Sequence, residues 1–355
     1  MARLPLPATI PRLRALDVEV AFRAAVAAML PLVVLLAMGR IEWGAYAAFG
    51  AFTALYGRGE PYRQRVVSLT VAAVGLLACI AGGTAIAATG APLWVTGIVL
   101  VAVTTAGTLV AMSFDLLPRG ALFFVFALLV CAQVPTPAAE WGERMFVAVC
   151  SAAFAWLLGM SGAVLRRWAP ARLLPAFRTL ERVPRRRRVT SEPRVWLAVA
   201  QNGVGGVAAG ALAVGFGLGH PYWSVVSLVA VIPPPHGPNT MGRAVERIVG
   251  TVVGLGAAAV LLWPQPPAWV LIVAIGVCQF AAELLVGWFY AAALVFITPL
   301  ALSVSELGAS SPVDSLLGDR LIETVVGAGI GLVLVIVGRW IVRESPATGV
   351  SASSH

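Results

Sequence analysis

The chain has 355 residues, of which 59% are hydrophobic and only 12% charged, and its formal net charge is +9. A soluble domain carries about 25% charged residues, so this composition argues against two ordinary soluble domains, which length alone would allow. Every basic residue is an arginine, and the arginines gather between apolar runs rather than on a polar, foldable surface. That placement excludes a nucleic-acid-binding role and points to membrane topology.

A bilayer core of about 30 Å takes about 20 helical residues to cross. In chain order, apolar runs occupy 20–39, 43–57, 66–89, 91–113, 115–134 and 141–165. The first is expected to be a retained helix, since no cleavage site closes it and further spans follow. A polar stretch from Arg166 to Glu192 comes next and holds Arg185, Arg186, Arg187 and Arg188 in a row. Six more runs lie at 194–218, 222–233, 241–263, 267–286, 288–305 and 318–342. Cys79, Cys131, Cys150 and Cys278 each sit alone in an apolar run without metal or disulfide spacing, and are read as small packing residues.

The two sets of runs echo each other. Trp43 and Trp223 open the second run of each set, and arginines follow both runs after a polar turn. The sixth run begins Gly142-Glu143-Arg144-Met145 and the twelfth Gly318-Asp319-Arg320-Leu321. The expected fold is an all-α integral membrane protein of about 12 transmembrane helices, arranged as two parallel six-helix repeats. Residues 1–19 form a cytoplasmic N-terminus, 20–165 the first repeat, 166–193 an Arg-rich linker, 194–343 the second repeat and 344–355 a disordered tail.

With both termini in the cytoplasm, the inside connections collect Arg58, Arg63, Arg65, Arg119, the linker cluster, Arg243 and Arg247, among others. The outside ones keep Arg40, Arg144 and Arg320. This is the asymmetry that places arginine on the cytoplasmic side of a bacterial inner membrane. The run Arg185–Arg188 is then a topology anchor that attracts anionic lipid headgroups.

The second run of each set is too short to cross a bilayer core unaided, and the later one ends in Pro233-Pro234-Pro235, where a helix cannot continue. Paired interrupted segments at matching positions are the sequence mark of a transporter's binding site. Asn239 and Thr240 suit the N-terminus of the ninth run, and Arg243 and Arg247 fall on one face of it, suited to an oxyanion. Trp223 and His236 flank the same break, and Trp43, Arg63 and Arg65 stand near its counterpart. Arg58 and Arg63 are better explained as cytoplasmic boundary markers.

The stretch Pro221-Tyr222-Trp223-Ser224, then Thr240, Arg243, Arg247, Gly250-Thr251 and Gly254, resembles the fusaric acid resistance and aromatic acid exporter superfamily. Plant aluminium-activated malate channels share a similar pattern. Arg320, Glu323, Thr324 and Gly327 are similar to that family's closing helix. The resemblance implies export or conduction of organic anions, often aromatic carboxylates, across an inner membrane. It also implies pairing of six-helix units, either as a homo-oligomer or as a pseudo-dimer within one chain. Two departures stand out: the linker is too short for an independent soluble domain, and Ser68 and Ala72 occupy the places of Gly250 and Gly254. The two glycines are themselves read as helix-packing positions.

Glu323, with Arg320 at i−3, and Glu283 are the proton-coupling candidates, an ion pair being the structural alternative for Glu323. No metal, cofactor or enzyme chemistry is expected, because no nucleophile–base pairing or metal-ligand spacing is visible. The expected function is a proton-driven organic-anion exporter. The alternatives are an anion channel or a non-transport membrane subunit.

Overall fold

The computed structural model describes residues 15–168, 189–233, 240–308 and 312–344. These residues form twelve α-helices and no strand. The helices are α1 (Ala15–Ala37), α2 (Gly44–Ala51), α3 (Tyr62–Thr89), α4 (Leu93–Ser113), α5 (Leu122–Gln133) and α6 (Trp141–Trp168), followed by α7 (Pro193–Gly215), α8 (Tyr222–Val231), α9 (Thr240–Leu262), α10 (Ala268–Leu285), α11 (Tyr290–Gly308) and α12 (Val313–Glu344). Nine of them are long and apolar enough to cross a membrane; α2, α5 and α8 are shorter. The chain is a multi-pass membrane protein. Trp94, Trp263, Trp269 and Trp340 lie at helix ends and are 61–67% exposed, as expected of indoles that sit at a membrane–water boundary.

The bounds differ from the sequence expectation in three places. α1 begins at Ala15, inside the stretch assigned to the N-terminus, and α12 begins at Val313, ahead of the run expected at 318–342. The run 115–134 yields only twelve residues of helix. Its first part is a turn in which Asp115 and Gly120 take positive φ, a conformation that a helix cannot contain. Pro118 adds a missing N–H to the same stretch. The linker arginines 185–188, together with Asn239 and His236, lie outside the described residues.

Each short helix is enclosed by longer ones. All eight residues of α2 and all ten of α8 are buried. At 1.5 Å per residue α8 is about 15 Å long, half of an apolar bilayer core. It stops because Ile232, held extended (φ −64°, ψ 122°) ahead of Pro233, leaves the helical region. α2 continues as one 3-10 turn, Phe52–Leu55, and ends where Tyr56 is extended and Gly57 takes φ +72°. Backbone broken in this way is tolerated at membrane depth only when protein or a wet cavity surrounds it.

The enclosing helices pair similarly in the two sets. α2 lies on α6, and α8 on α12; α3 lies on α5 and α6, and α9 on α11 and α12. The sets meet through α1 with α10, α4 with α7, α2 with α11 and α5 with α8. At the last of these contacts Phe126 of α5 packs 5.0 Å from Trp223 of α8 and 5.0 Å from Phe49 of α2. One aromatic side chain of α5 therefore touches the other two short helices, α2 and α8.

Small residues set how closely the short helices approach their neighbours, as expected where lipid removes the hydrophobic drive for helix association. A Cβ at Gly50 of α2 would lie 2.6 Å from the Ala148 carbonyl oxygen of α6, and one at Gly327 of α12 would collide with the Ser224 carbonyl oxygen of α8. Gly250 and Gly254 face Ala291, Leu294 and Thr298 of α11, so both are packing positions between α9 and α11.

Candidate anion site around the second short helix

α8 presents one helical turn, Trp223 to Ser227, to two buried arginines that come from different helices. Arg247 lies two turns into α9 and is 4% exposed. Its Nη1 donates to the Tyr290 hydroxyl at 3.0 Å and its Nη2 reaches Ser227 Oγ at 3.4 Å, while Nε has no partner among the described residues. Arg320, on α12, is 1% exposed and lies flat over the Trp223 indole, 3.7 Å from the ring centroid. Its Nε and Nη1 likewise have no partner among the described residues. The two guanidinium groups thus border the same turn of α8, one at Ser227 and the other at Trp223.

A buried guanidinium donor left unpaired costs more than a neutral one, since the charge loses its hydration as well. Stacking on an indole offsets part of that for Arg320 but satisfies none of its N–H groups. Ser224 Oγ and Thr251 Oγ1, both fully buried, are also without a partner among the described residues. Two cations and the Ser224 hydroxyl along one turn of α8 make a donor-rich, water-poor place, which suits a carboxylate.

Arg243, one turn before Arg247, has a different setting. It is exposed, its guanidinium covers the Tyr290 ring at 4.3 Å, and its Nε donates to the Ala230 carbonyl oxygen at 3.0 Å. The last four carbonyls of a helix lack intrahelical partners, so Arg243 caps the broken end of α8. The side chain of Thr240 is outside what the structure describes, although its backbone opens α9.

At the other end of α8, carboxylates of α12 hold the incoming loop. Asp319 Oδ2 accepts from Gly219 N and lies 3.1 Å from His220 Nδ1, and Glu323 Oε1 accepts from His220 N at 3.1 Å. Glu323 is fully buried, and its Oε2 has no partner among the described residues. No ion pair joins it to Arg320 among the described residues, so the structural alternative read from their i, i+3 spacing is not what the fold builds.

The first-set candidates are placed differently. Arg63 is exposed and Trp43 is 6% exposed beneath Arg40, whose guanidinium lies 4.9 Å above its ring. Arg65 is fully buried, and donates from Nε to the Gly57 carbonyl at 3.0 Å and from Nη1 to the Gly159 carbonyl at 3.3 Å. Gly57 is required for this contact: its φ is positive, and a Cβ there would lie 2.8 Å from Arg65 Cγ. Glu283 pairs with Arg58 (3.5 Å), which also binds Asp17 at 3.0 Å and the Glu283 carbonyl at 3.0 Å.

Three contributors were absent from the sequence reading: Tyr290, Ser227 and the Trp223–Arg320 stack. Each joins positions tens of residues apart, so spacing along the chain carried no signal for them. Glu140 was also passed over, although it lies four residues before Arg144. Its Oε2 accepts from Arg144 Nη2 at 2.8 Å and from Nε at 3.1 Å.

Residues 207–334, which include α8, Arg243, Arg247, Arg320 and Glu323, match the family described as fusaric acid resistance protein-like. An uncharacterized membrane protein of Bacillus subtilis (strain 168), YvaC, is 32% identical over 126 residues, which is 35% of this chain and 20% of that protein. An uncharacterized protein of Synechocystis sp., slr1298, is 30% identical over 115 residues, 31% of this chain and 15% of that protein. The matched segments thus span a fifth or less of those relatives. No solved structure matches the chain.

Proposed function

We propose, from a second half whose sequence matches a family named for fusaric acid resistance, that this chain carries organic anions, aromatic carboxylates among them, out across a bacterial inner membrane. The observation that carries the reading is Arg247: a buried guanidinium with an unpaired Nε, held beside a ten-residue helix that protein encloses on every side. A chain that keeps such a charge at membrane depth gives up stability unless the charge meets an anion during the working cycle. The arginine distribution supports placing both termini in the cytoplasm. The matched pairing of α2 with α6 and α8 with α12 supports a parallel repeat of six helices within one chain.

Proton coupling follows from charge balance in this reading. Glu323 sits one turn from Arg320, with Asp319 and His220 beside it on the loop side and Tyr222 on α8. Protonating Glu323 removes the negative charge nearest Arg320, so the protonation state of this acid and the occupancy of the anion site are linked.

The test is export of a panel of aromatic acids from cells that express or lack the protein, with and without an uncoupler. Arg247→Gln is expected to abolish protein-dependent export while the protein still inserts at normal levels. Wild-type export that survives the uncoupler, with current carried by reconstituted protein, would make it a channel. Full export by the Arg247→Gln variant would remove this site from the pathway.

A further inference from the structure

We infer that Arg320 is a carboxylate-binding residue, and that the Arg144–Glu140 pair shows the contact it makes with the transported anion. The inference rests on the organic-anion reading above and assigns the atom pair that recognises the substrate. Arg144 and Arg320 occupy like positions: each lies near the start of the long helix that packs on a short one, and each stacks on an aromatic side chain of that short helix. Arg144 lies over Tyr46 of α2 at 5.3 Å, and Arg320 over Trp223 of α8 at 3.7 Å.

Their hydrogen bonding differs entirely. Arg144 is saturated: Glu140 Oε2 takes Nε and Nη2 side-on, and Nη1 reaches Tyr46, Thr136 and the Pro135 carbonyl. The residue four before Arg320, where Glu140 stands relative to Arg144, is Leu316, which is 2% exposed and apolar. The internal carboxylate is therefore replaced by a hydrocarbon side chain, and the guanidinium keeps Nε and Nη1 buried and unpaired among the described residues. Glu323 does not fill the role, because its Oε1 is committed to His220 N and it forms no hydrogen bond to Arg320. Asp319 is likewise committed to Gly219 N and His220 Nδ1.

The chemistry this selects is a carboxylate that approaches a guanidinium edge side-on, with an apolar body able to lie against Leu316 and the Trp223 ring. It is a monocarboxylate with an aromatic or branched apolar part. A multiply charged small acid would leave its second charge unmatched among buried apolar side chains. One chain then carries one such site, since the counterpart at Arg144 already holds its own carboxylate.

The experiment uses the full-length protein purified in detergent, with equilibrium binding of radiolabelled benzoate and the unfolding midpoint in sodium benzoate against sodium chloride. Wild type is expected to bind one benzoate per chain. Leu316→Glu, which supplies the internal carboxylate, is expected to weaken binding at least about tenfold, the equivalent of about 1.4 kcal/mol, whereas the uncharged Leu316→Gln stays within about threefold. Arg320→Gln should lose binding as fully as Leu316→Glu. Glu140→Leu, which frees Arg144, should gain a second, benzoate-dependent stabilisation, and it decides the matter if Leu316→Glu does not fold. Equal binding by Leu316→Glu and Leu316→Gln, or full binding by Arg320→Gln, overturns the assignment of Arg320 while leaving transport intact. Absence of benzoate binding by wild type overturns this assignment too, and the export assay then decides the transport reading separately.

Discussion

The first and second six-helix segments bury arginines at corresponding places and use them in opposite ways. In the first, Arg65 donates to two backbone carbonyls and Arg144 to a glutamate, a tyrosine, a threonine and a carbonyl. In the second, Arg247 has one good hydrogen bond and one long one, and Arg320 lies on a ring with Nε and Nη1 unpaired among the described residues. Cationic side chains in an apolar core are costly in both segments. The protein saturates one of them itself, Arg144. The contrast between Arg144 and Arg320 teaches that a buried arginine is not by itself a mark of function; what distinguishes the two is whether the protein supplies a carboxylate.

The comparison can be broken most forcefully at Arg65 and Arg247. Arg65→Gln leaves the Gly57 and Gly159 carbonyls without their donor in a fully buried place, at an expected cost of about 2–4 kcal/mol. It should lower the unfolding midpoint in detergent markedly and reduce membrane yield. Arg247→Gln loses one firm hydrogen bond, about 1 kcal/mol, and should unfold close to wild type although export is gone. Two variants with the same stability loss would show that the segments do not divide their roles in this way.

A sharper version uses the glycines at the short-helix contacts. Gly327→Ala drives a Cβ into the Ser224 carbonyl of α8, and Gly50→Ala brings one to 2.6 Å from the Ala148 carbonyl of α6. Overpacking of this kind costs about 1–3 kcal/mol, and the backbone collision at Gly327 should sit at the upper end. The variant also shifts the turn carrying Ser227, so Gly327→Ala should impair export more than its loss of folded protein explains, whereas Gly50→Ala should reduce both in proportion. Export per folded molecule, from fluorescence-detected size exclusion and the transport assay together, separates the two.

Much of the fold could be read from the chain, because span length and interruption are local properties. The truncation of α8 was written in Pro233 and in the ten apolar residues before it. The truncation of α5 was not foreseen, since the apolar residues from Leu116 to Val134 look like one span; what divides them is the backbone of Asp115 and Gly120. The site was legible only in part. Arg247 could be found from its spacing after the break, but the role of Arg243 as a cap on the Ala230 carbonyl depends on where the chain returns after residues 234–239. Arg320 was noticed beside Glu323 as a proton-coupling candidate, with an ion pair between them as the structural alternative. A sequence cannot show that the Glu323 carboxylate is instead turned to the backbone of His220, nor that Trp223 lies under the guanidinium.

The smallest expected effect concerns Glu283, the other acid considered for proton coupling. Arg58 joins it to Asp17, tying α10 and α1 to the turn that follows α2, with side-chain exposures of 12% for Glu283, 6% for Asp17 and 24% for Arg58. These contacts belong to the scaffold between the two segments and stand apart from the α8 turn. In Glu283→Gln the carbonyl that Arg58 binds is retained, as is the Asp17 pair, so one 3.5 Å contact weakens and the loss should be about 1 kcal/mol or less. Export should remain, with unchanged sensitivity to the uncoupler. Glu323→Gln, by contrast, should keep benzoate binding, since it removes the negative charge nearest Arg320, yet lose the acceleration of export by an imposed proton gradient. If the two glutamates exchange these phenotypes, the coupling proton travels through the α1–α10 contact and the second short helix only binds.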